Sequence, residues 1–263
     1  MHIKDRTFII SGGASGLGLA TARDLHSHGG YIAILDLNTS AGTALASSLA
    51  PRARFFETDV SSTPSLEAAV QGAAAWIQDE THAPLAAIVP AAGVGNPAKL
   101  LTRHGAPAPM AALDFVLSIN LRGTLDLVRL ALPLLAGNEP AGPDGERGVV
   151  VLVSSAAAYD GQPGQVAYAA SKGAVRSVAL PLARDLAPLG IRAVAIAPGY
   201  FESGMTAAMS EKVRGSLERV MEFPKRAGRG EEFAALVRAV VENVMLNGEC
   251  VRLDGGTRMP SKL

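Results

Sequence analysis

The chain has 263 residues, 48% of them apolar, which suits one large α/β domain or two small ones and argues against disorder. Lys plus Arg and Asp plus Glu each number 24, so the net charge of zero predicts no binding surface for nucleic acid or an anionic membrane. Cys250 is the single cysteine, which excludes an internal disulfide and a thiolate metal cluster, and we expect no metal site.

The sequence predicts neither secretion nor membrane insertion. Its first residues lead directly into a strand-like run and lack the pattern of a secretory signal. The best apolar stretch, Leu125–Ala136, is interrupted by Arg129 and is too short to span a bilayer.

A glycine-rich segment follows the first predicted strand, Thr7–Ser11, and precedes a predicted helix, Leu19–Ser27. A helix N-terminus offers free N–H groups to phosphates, so this context predicts a dinucleotide-binding loop, with an ordinary surface turn as the alternative. Glycines here permit a tight turn, close approach of the backbone to a pyrophosphate, and close helix–strand packing. The predicted cofactor-binding residues of the loop are Gly12, Ser15, Gly16, Leu17 and Gly18.

The second predicted strand, Tyr31–Asp36, ends in an acidic residue 18 positions after Gly18. A carboxylate there can accept hydrogen bonds from both ribose hydroxyls and repels a 2′-phosphate. Asp36 therefore favours NAD over NADP, with a solvated strand-end carboxylate as the alternative.

Strands and helices alternate along the chain, which predicts an α/β fold with a doubly wound, Rossmann-type parallel sheet and helices on both faces. The later predicted strands are Ala53–Thr58, Leu85–Val89, Val149–Ser154, Ile191–Ala197 and Glu249–Leu253. Further predicted helices are Ser40–Leu49, Pro64–Asp79, Met110–Ala136 and Glu231–Met245. We expect Thr63 to cap the helix that Pro64 opens.

Two connections stand out. Val94–Pro109 is long, lies beside the predicted cleft and is therefore a candidate substrate-binding loop. Its Lys99 and Arg103 could meet an anionic substrate tail, although each could equally be solvated surface charge. The breaker-rich segment Gly137–Gly148 predicts no regular structure.

The segment Tyr168-Ala-Ala-Ser-Lys172 lies in a predicted helix, where positions four apart share one face. The phenol then has an ammonium group beside it. A nearby positive charge lowers the pKa of a tyrosine from its ordinary value of about 10, which suits a general acid or base for alcohol–ketone chemistry. An ordinary helical pair is the alternative for this motif alone.

These motifs, with others in order along the chain, resemble the short-chain dehydrogenase/reductase family of the classical type over the full length. The further matching positions are Asp59, Val60, Ala92, Gly93, Asn120, Ser155, Pro198 and Gly199. Pro90 is a departure, because many members carry an Asn there that ties neighbouring strands together. Since proline cannot donate a backbone hydrogen bond, we expect the packing at the end of the fourth strand to differ.

The resemblance implies a single NAD-binding domain over residues 1–260, packed as a homotetramer through the catalytic helix and the last strand. Ser155, 13 residues before Tyr168, would bind the substrate oxygen, and Gln162 in between is expected to face substrate. Asn120 would kink its helix and hold a water that relays protons to Lys172. The other cofactor contacts that the resemblance implies are Asp59, Val60, Ala92, Gly93, Tyr168, Lys172, Pro198, Phe201 and Ser203. A helical lid over the substrate is expected within residues 206–229.

Within the family, several segments are similar to the type 2 3-hydroxyacyl-CoA dehydrogenases, among them Leu246–Gly255. This similarity implies NAD-dependent interconversion of a secondary alcohol and a ketone, with a 3-hydroxyacyl-CoA as the leading substrate. A steroid or secondary-metabolite substrate is one alternative, and an NAD-bound scaffold without essential catalysis is another.

The sequence given closes on Ser261-Lys262-Leu263, a tripeptide that the peroxisomal import receptor reads at a C-terminus. We therefore expect a peroxisomal protein, and a chance tail is the alternative. Fatty-acid β-oxidation occurs in that organelle, so the expected location agrees with the expected substrate.

Overall fold

Seven parallel strands form the centre of the molecule. The computed structural model describes residues 1–202, 204 and 211–259. The strands are β1 (Thr7–Ser11), β2 (Tyr31–Asp36), β3 (Ala53–Glu57), β4 (Leu85–Pro90), β5 (Gly148–Val153), β6 (Ile191–Pro198) and β7 (Cys250–Leu253). Their spatial order is β3-β2-β1-β4-β5-β6-β7. The connections reverse direction between β1 and β4, which confirms the predicted doubly wound sheet and places a crevice at that point.

Helices cover both faces of the sheet, as predicted. They are α1 (Gly16–Ser27), α2 (Thr39–Ser48), α3 (Thr63–Trp76), α4 (Met110–Leu117), α5 (Thr124–Ala136), α6 (Val166–Ser177), α7 (Ala179–Leu186), α8 (Glu211–Arg219) and α9 (Gly230–Glu242). Successive side chains of a strand point to opposite faces, so Ile9 and Ile10 enter different cores. Ile9 packs in the core that α3, α5, α6 and α7 cover, and Ile10 in the core of α1, α2 and α9.

The predicted cap of α3 is wrong by one residue. Ser62 is the N-cap, and its hydroxyl oxygen accepts a hydrogen bond of 3.4 Å from the Ser65 N–H. Thr63 lies inside the helix and donates its hydroxyl proton to Asp126 of α5, at 2.6 Å. The Thr63 side chain, which the local sequence predicted to cap the helix, is therefore bound to a residue distant in sequence, Asp126.

The predicted helix Met110–Ala136 is two α-helices joined by a π-helical turn, Ser118–Gly123. The turn contains Asn120, the residue at which the family resemblance implied a kink. A π turn widens the helix by one residue and turns side chains away from their α-helical directions. Here it brings the amide of Asn120 to the backbone of Val94.

Pro90 ends β4 and keeps its pairing with β1, whereas the ladder to β5 ends two residues earlier, at Ile88 and Val150. Pro90 is buried and pairs in register with Ser11, and the register shift between β1 and β4 lies at the other end, between Thr7 and Phe8. The next two N–H groups bind Ser11 instead, from Ala91 to its carbonyl oxygen and from Ala92 to its hydroxyl oxygen, both at 3.2 Å. The strands are thus tied one step beyond the proline.

The Val94–Pro109 loop folds back on itself. The Thr102 N–H donates to the Ala106 carbonyl and the Ala108 N–H to the Leu100 carbonyl, both at 2.8 Å. The Ala98 N–H donates to the Gly164 carbonyl at 2.8 Å, which joins this loop to the segment before α6. Of the expected lid, residues 206–210 lie outside the described part, and α8 occupies its middle.

Within the described ranges, no helix is both long and apolar enough to cross a membrane.

Candidate active site

A cleft of about 470 Å³ opens at the carboxyl ends of the strands, where the sheet reverses direction. Ligands of open α/β sheets bind at this position, because loops from both halves of the sheet meet there. Most of the predicted cofactor-binding residues line it: Gly12, Ser15, Gly16, Leu17, Asp36, Asp59, Val60, Ala92, Gly93, Tyr168, Lys172, Pro198 and Phe201. The sequence thus located the cleft from strand ends that are far apart along the chain.

The glycine loop needs glycine for two different reasons. Gly12 has a φ of 63°, and a Cβ added to it would lie 2.8 Å from the Cα of Ala92. A Cβ on Gly18 would collide with the carbonyl oxygen of Gly12. Gly18 does not line the cleft. Its missing side chain allows α1 to pack directly beneath the loop.

Helix α1 begins at Gly16, three residues before the predicted start, because the Leu19 N–H already bonds to the Ser15 carbonyl at 2.9 Å. Ser15 is the N-cap, and its side chain makes no capping hydrogen bond within the described chain. Ser15, Gly16 and Leu17 all line the cleft. The first N–H groups of α1 can therefore bind an anion such as a pyrophosphate.

The carboxylate of Asp36 is held at the edge of the cleft by two backbone groups. Its Oδ2 accepts from the Ala14 N–H at 3.0 Å, and its Oδ1 accepts from the Asn38 N–H at 2.9 Å. The neighbouring Leu35 and Leu37 also line the cleft. Each carboxylate oxygen keeps further lone pairs, so the group can still accept hydrogen bonds from ribose hydroxyls.

The next strand end contributes Asp59 and Val60. The Oδ1 of Asp59 accepts from the Ser61 N–H at 2.9 Å and from the Ser61 hydroxyl at 2.7 Å. This fixes the turn after β3, so that both predicted residues reach the cleft wall. On the opposite wall, a Cβ added to Gly93 would lie 3.3 Å from the Oδ1 of Asn120 and 3.5 Å from the Nζ of Lys172.

Ser155 and Tyr168 lie together in the cleft. Ser155 follows β5 and caps the short 3₁₀ turn Ala156–Ala158, where its hydroxyl oxygen accepts from the Ala157 N–H at 3.1 Å. Burial raises the pKa of Tyr168, and a side-chain hydrogen bond with Ser155 opposes that rise. The two groups can therefore hold one oxygen atom of a substrate between them.

Lys172 is buried one helical turn after Tyr168, with its Nζ 6.0 Å from the centre of the tyrosine ring. The Nζ donates a hydrogen bond of 2.9 Å to the carbonyl oxygen of Val153, at the end of β5. Burial lowers the pKa of Lys172 to about 8. The predicted lowering of the Tyr168 pKa by this ammonium is not found, because burial raises that pKa and the opposing hydrogen bond comes from Ser155.

Asn120 does not line the cleft but supports its wall. Its Oδ1 accepts from the Val94 N–H at 2.8 Å, and its Nδ2 donates to the Val94 carbonyl at 2.9 Å and to the Ser171 hydroxyl at 3.2 Å. Ser171 in turn donates to the Tyr168 carbonyl at 2.8 Å. The amide thus connects the loop after β4 to the helix of Tyr168, and the implied water relay stays a prediction.

One predicted contact lies apart from this constellation. Gln162 does not line the cleft, although its Nε2 is buried and has no hydrogen-bond partner among the described residues. Its contact with substrate stays a prediction. Ser203 falls outside the described residues.

Two more lining residues, Val94 and Gly199, belong to the predicted loop and to a matched motif. Other lining residues escaped the sequence reasoning: Leu35, Leu37, Thr58, Ala91, Ile119, Val153, Ser154 and Gly204. Most adjoin a predicted residue at a strand end, so extending each motif by one position would have found them. Ile119 had no such signal, because the π turn decides which way it faces.

Among the residues that the structure describes, no cluster of three His, Cys, Asp or Glu side chains could hold a metal ion. The chemistry that the cleft offers is instead that of a phosphate-binding helix N-terminus beside a buried tyrosine, lysine and serine. The loop fits the pyrophosphate of a nicotinamide dinucleotide, because Gly12, Ser15 and Gly16 line the cleft at the N-terminus of α1. These features define an oxidoreductase that transfers hydride to or from a nicotinamide cofactor.

The chain belongs to the short-chain dehydrogenase family, since residues 6–214 match the family model of that description. It is therefore an NAD(P)-dependent oxidoreductase acting on CH–OH groups. The resemblance inferred from the motifs is confirmed.

Similar proteins cover the whole chain. The 3-hydroxyacyl-CoA dehydrogenase type-2 of Drosophila melanogaster is 42% identical over 259 residues, which are 98% of this chain and 99% of the relative. The human protein of the same name is 41% identical over 258 residues, 98% of this chain and 97% of the relative. The crystal structure of 3-hydroxyacyl-CoA dehydrogenase type-2 from Mycobacterium avium matches with a TM-score of 0.89 and 37% identity, over 99% of each chain.

Proposed function

We propose that the protein interconverts the 3-hydroxy and 3-keto groups of an acyl-CoA, with NAD as the cofactor. The observation that supports this most is the extent of the similarity to the 3-hydroxyacyl-CoA dehydrogenases. It covers 98% of the chain at about 40% identity and so includes the substrate-side loops as well as the cofactor half.

Three side chains carry out the proton transfer and the stabilisation of charge in the oxidation of the alcohol. The Tyr168 phenolate removes the hydroxyl proton as the carbon–hydrogen bond is broken, and the Ser155 hydroxyl holds the developing carbonyl oxygen. The Lys172 ammonium, anchored on Val153, stabilises the phenolate when it forms. The bound nicotinamide supplies the hydride acceptor in oxidation and the hydride donor in reduction.

NAD is the proposed cofactor because of Asp36. Its carboxylate stands at the end of β2, where an adenosine ribose lies in this class of fold, and a 2′-phosphate there would meet a negative charge. We expect Asp36→Asn to lower kcat/KM for NAD and raise it for NADP. Asp144→Asn, a substitution in the turn before β5, is the matched control and should change neither value. An enzyme that already prefers NADP would contradict the assignment.

The substrate is tested by following NADH absorbance with acetoacetyl-CoA and with free ketones, including a steroid, under the same conditions. Oxidation of NADH by acetoacetyl-CoA with higher kcat/KM than by the free ketones supports the proposal. Turnover of the free ketones alone would make the protein a dehydrogenase of a steroid or secondary metabolite. Binding of NAD without turnover of any compound would favour the scaffold role.

We also propose that the protein is imported into peroxisomes by the receptor that reads Ser261-Lys262-Leu263. The agreement between that address and fatty-acid oxidation supports the proposal. Fluorescent fusions carrying the chain with and without this tripeptide test it. Diffuse fluorescence of both fusions would contradict it.

A homotetramer is the proposed assembly. The strand β7 stands at an open edge of the sheet, next to β6, so it is available for contact with a second copy. Light scattering coupled to size-exclusion chromatography gives the mass directly. A monomer at assay concentrations would refute the proposal.

A further inference from the structure

A ten-residue segment connects Ser155 to the helix that carries Tyr168, and these are the two groups that hold the substrate oxygen. Ser155 stands at the end of β5 and Tyr168 in the first turn of α6, and residues 156–165 connect them. Apart from the 3₁₀ turn Ala156–Ala158, this connection has no regular structure. Its path therefore decides whether Ser155 and Tyr168 remain within hydrogen-bonding reach.

Tyr159 lies in the middle of this path, with its ring between two guanidinium groups. The Cζ of Arg176 is 4.2 Å from the ring centre and the Cζ of Arg252 is 4.7 Å from it. Arg176 belongs to α6, one turn beyond Lys172, and Arg252 belongs to β7. The ring thus joins the connection to the catalytic helix and to the edge strand through cation–π contacts.

Arg252 is itself held in place. Its Nη2 donates to the Oδ2 of Asp160 and its Nε to the Oδ2 of Asp254, both at 2.6 Å. Asp160 is the residue after Tyr159, so one guanidinium grips two successive residues of the connection. A guanidinium fixed by two carboxylates has little freedom to rotate, which makes it a firm support for the ring.

The turn that follows Ser155 is hydrogen-bonded to the backbone of Tyr159 and Asp160. The N–H groups of Tyr159 and Asp160 both donate to the Ala156 carbonyl at 2.9 Å, and the Ala157 N–H donates to the Ser155 hydroxyl oxygen. Ser155 thus bonds to the same turn that carries Tyr159, so this turn links the position of the ring to that of the serine hydroxyl.

We propose that Tyr159 is a positioning residue for the reaction: clamped between Arg176 and Arg252, it holds Ser155 in hydrogen-bonding position toward Tyr168. The proposal rests on the roles assigned above to Ser155 and Tyr168. It assigns the effect to the ring of Tyr159, which both guanidinium groups contact. The hydroxyl also interacts with Cys250 and Arg176, so Tyr159→Phe tests its share separately.

Three variants test this. Tyr159→Leu removes the ring, Tyr159→Phe keeps it, and Tyr31→Leu removes a ring that makes a similar contact elsewhere. Tyr31 begins β2, at the opposite end of the sheet from the cleft, and the Cζ of Arg52 lies 4.6 Å from its ring centre. A general loss of stability would appear in both leucine variants, whereas a positioning effect belongs to Tyr159 alone.

Activity is measured as kcat per NAD-binding site, so that unfolded protein does not count. We expect Tyr159→Leu to lower kcat roughly 10- to 100-fold with little change in KM for NAD, and to raise the solvent deuterium isotope effect as proton transfer becomes slower. Tyr159→Phe and Tyr31→Leu should both retain the wild-type kcat and isotope effect. A wild-type kcat in Tyr159→Leu, or an equal loss in Tyr31→Leu, would overturn the proposal.

Hydrogen exchange separates this proposal from the proposed function, because it needs no turnover. The amides of Ala157, Tyr159 and Asp160 should exchange faster in Tyr159→Leu than in wild type or in Tyr31→Leu. Unchanged exchange at these amides would refute the positioning role of Tyr159 even if the enzyme is active. Absence of wild-type turnover with any secondary alcohol or ketone would instead refute the proposed function and leave the exchange result to decide the clamp.

Discussion

Lys172 and Val153 are joined by a hydrogen bond of 2.9 Å, from the lysine Nζ to the strand carbonyl oxygen. A second bond runs between the same elements, from the Ser154 hydroxyl to the Lys172 carbonyl at 2.8 Å. Helix α6 is thus fixed to the end of β5, immediately before Ser155. The ammonium group needed beside the phenol is held by backbone geometry and not by a carboxylate partner.

Burial of Lys172 predicts a characteristic pH dependence of stability. Its pKa falls from an ordinary 10.5 to about 8 on folding, so between these values the unfolded chain binds more protons than the folded chain. The free energy of unfolding must then rise with pH across that interval. The raised pKa of Tyr168 acts only above the ordinary tyrosine value of 10 and does not enter the lower part of this window.

Urea unfolding at pH 8 and about pH 9.5, in wild type and in Lys172→Met, measures this effect. We expect the wild type to gain roughly 1–2 kcal/mol relative to the variant over that change, since groups common to both cancel. Equal pH dependence in the two proteins would show that Lys172 titrates normally in the folded state.

Asn120→Ala should lower both stability and turnover. It removes three hydrogen bonds between the loop of Val94 and the helix of Tyr168, which costs about 1–3 kcal/mol for the groups left unpaired. We expect kcat to fall on the order of tenfold or more, because the cleft wall and α6 lose their connection.

Asn138→Ala is the matched control for that variant. The Asn138 amide donates to the Leu85 carbonyl at 2.6 Å and to the Arg147 carbonyl at 2.8 Å, at the end of the sheet away from the cleft. It should lose comparable stability by thermal unfolding and retain the wild-type kcat. If both asparagine variants lose turnover equally, Asn120 has no specific role in the cleft.

Gly18→Ala should weaken cofactor binding although residue 18 does not line the cleft. The new Cβ would meet the Gly12 carbonyl and force the loop away from α1, which costs about 1–3 kcal/mol of stability as overpacking does. Fluorescence titration with NADH measures the loss of affinity.

Gly173→Ala provides the comparison for that substitution. Residue 173 lies in α6, beside Lys172, and an added Cβ meets no atom within 4 Å. Alanine there should raise stability by up to about 1 kcal/mol and leave NADH affinity unchanged. Equal affinity for NADH in the two alanine variants would contradict the packing role of Gly18.

Much of this arrangement could be predicted because its signals are local. Apolar runs that end at Ser11 and Asp36 mark the strand ends, and the four-residue spacing of Tyr168 and Lys172 puts both on one face of α6. Parallel strands bring their carboxyl ends to one edge, so these separate motifs had to meet in one cleft.

The remainder depends on contacts between distant residues. The π turn at Ser118–Gly123 is accompanied by two hydrogen bonds between Asn120 and Val94, 26 residues away. Thr63 was mistaken for a cap because its partner, Asp126, lies 63 residues further on. The ring of Tyr159 likewise contacts the guanidinium of Arg252, which lies on the last strand, far from Tyr159 in the sequence.

The pKa of Tyr168 could not be predicted from the sequence either. Spacing alone predicts an ammonium near the phenol, but the balance between that charge and burial depends on how much water the folded cleft admits.

The central claim is that Tyr168 carries the proton in alcohol–ketone interconversion. The most direct measurement is kcat of Tyr168→Phe beside its NADH dissociation constant, with Tyr31→Phe as the control that removes a phenol hydroxyl at the far end of the sheet. The account predicts a loss of roughly 100- to 10,000-fold in kcat with NADH affinity kept, and wild-type kcat in the control. Wild-type turnover by Tyr168→Phe with NADH bound would contradict it.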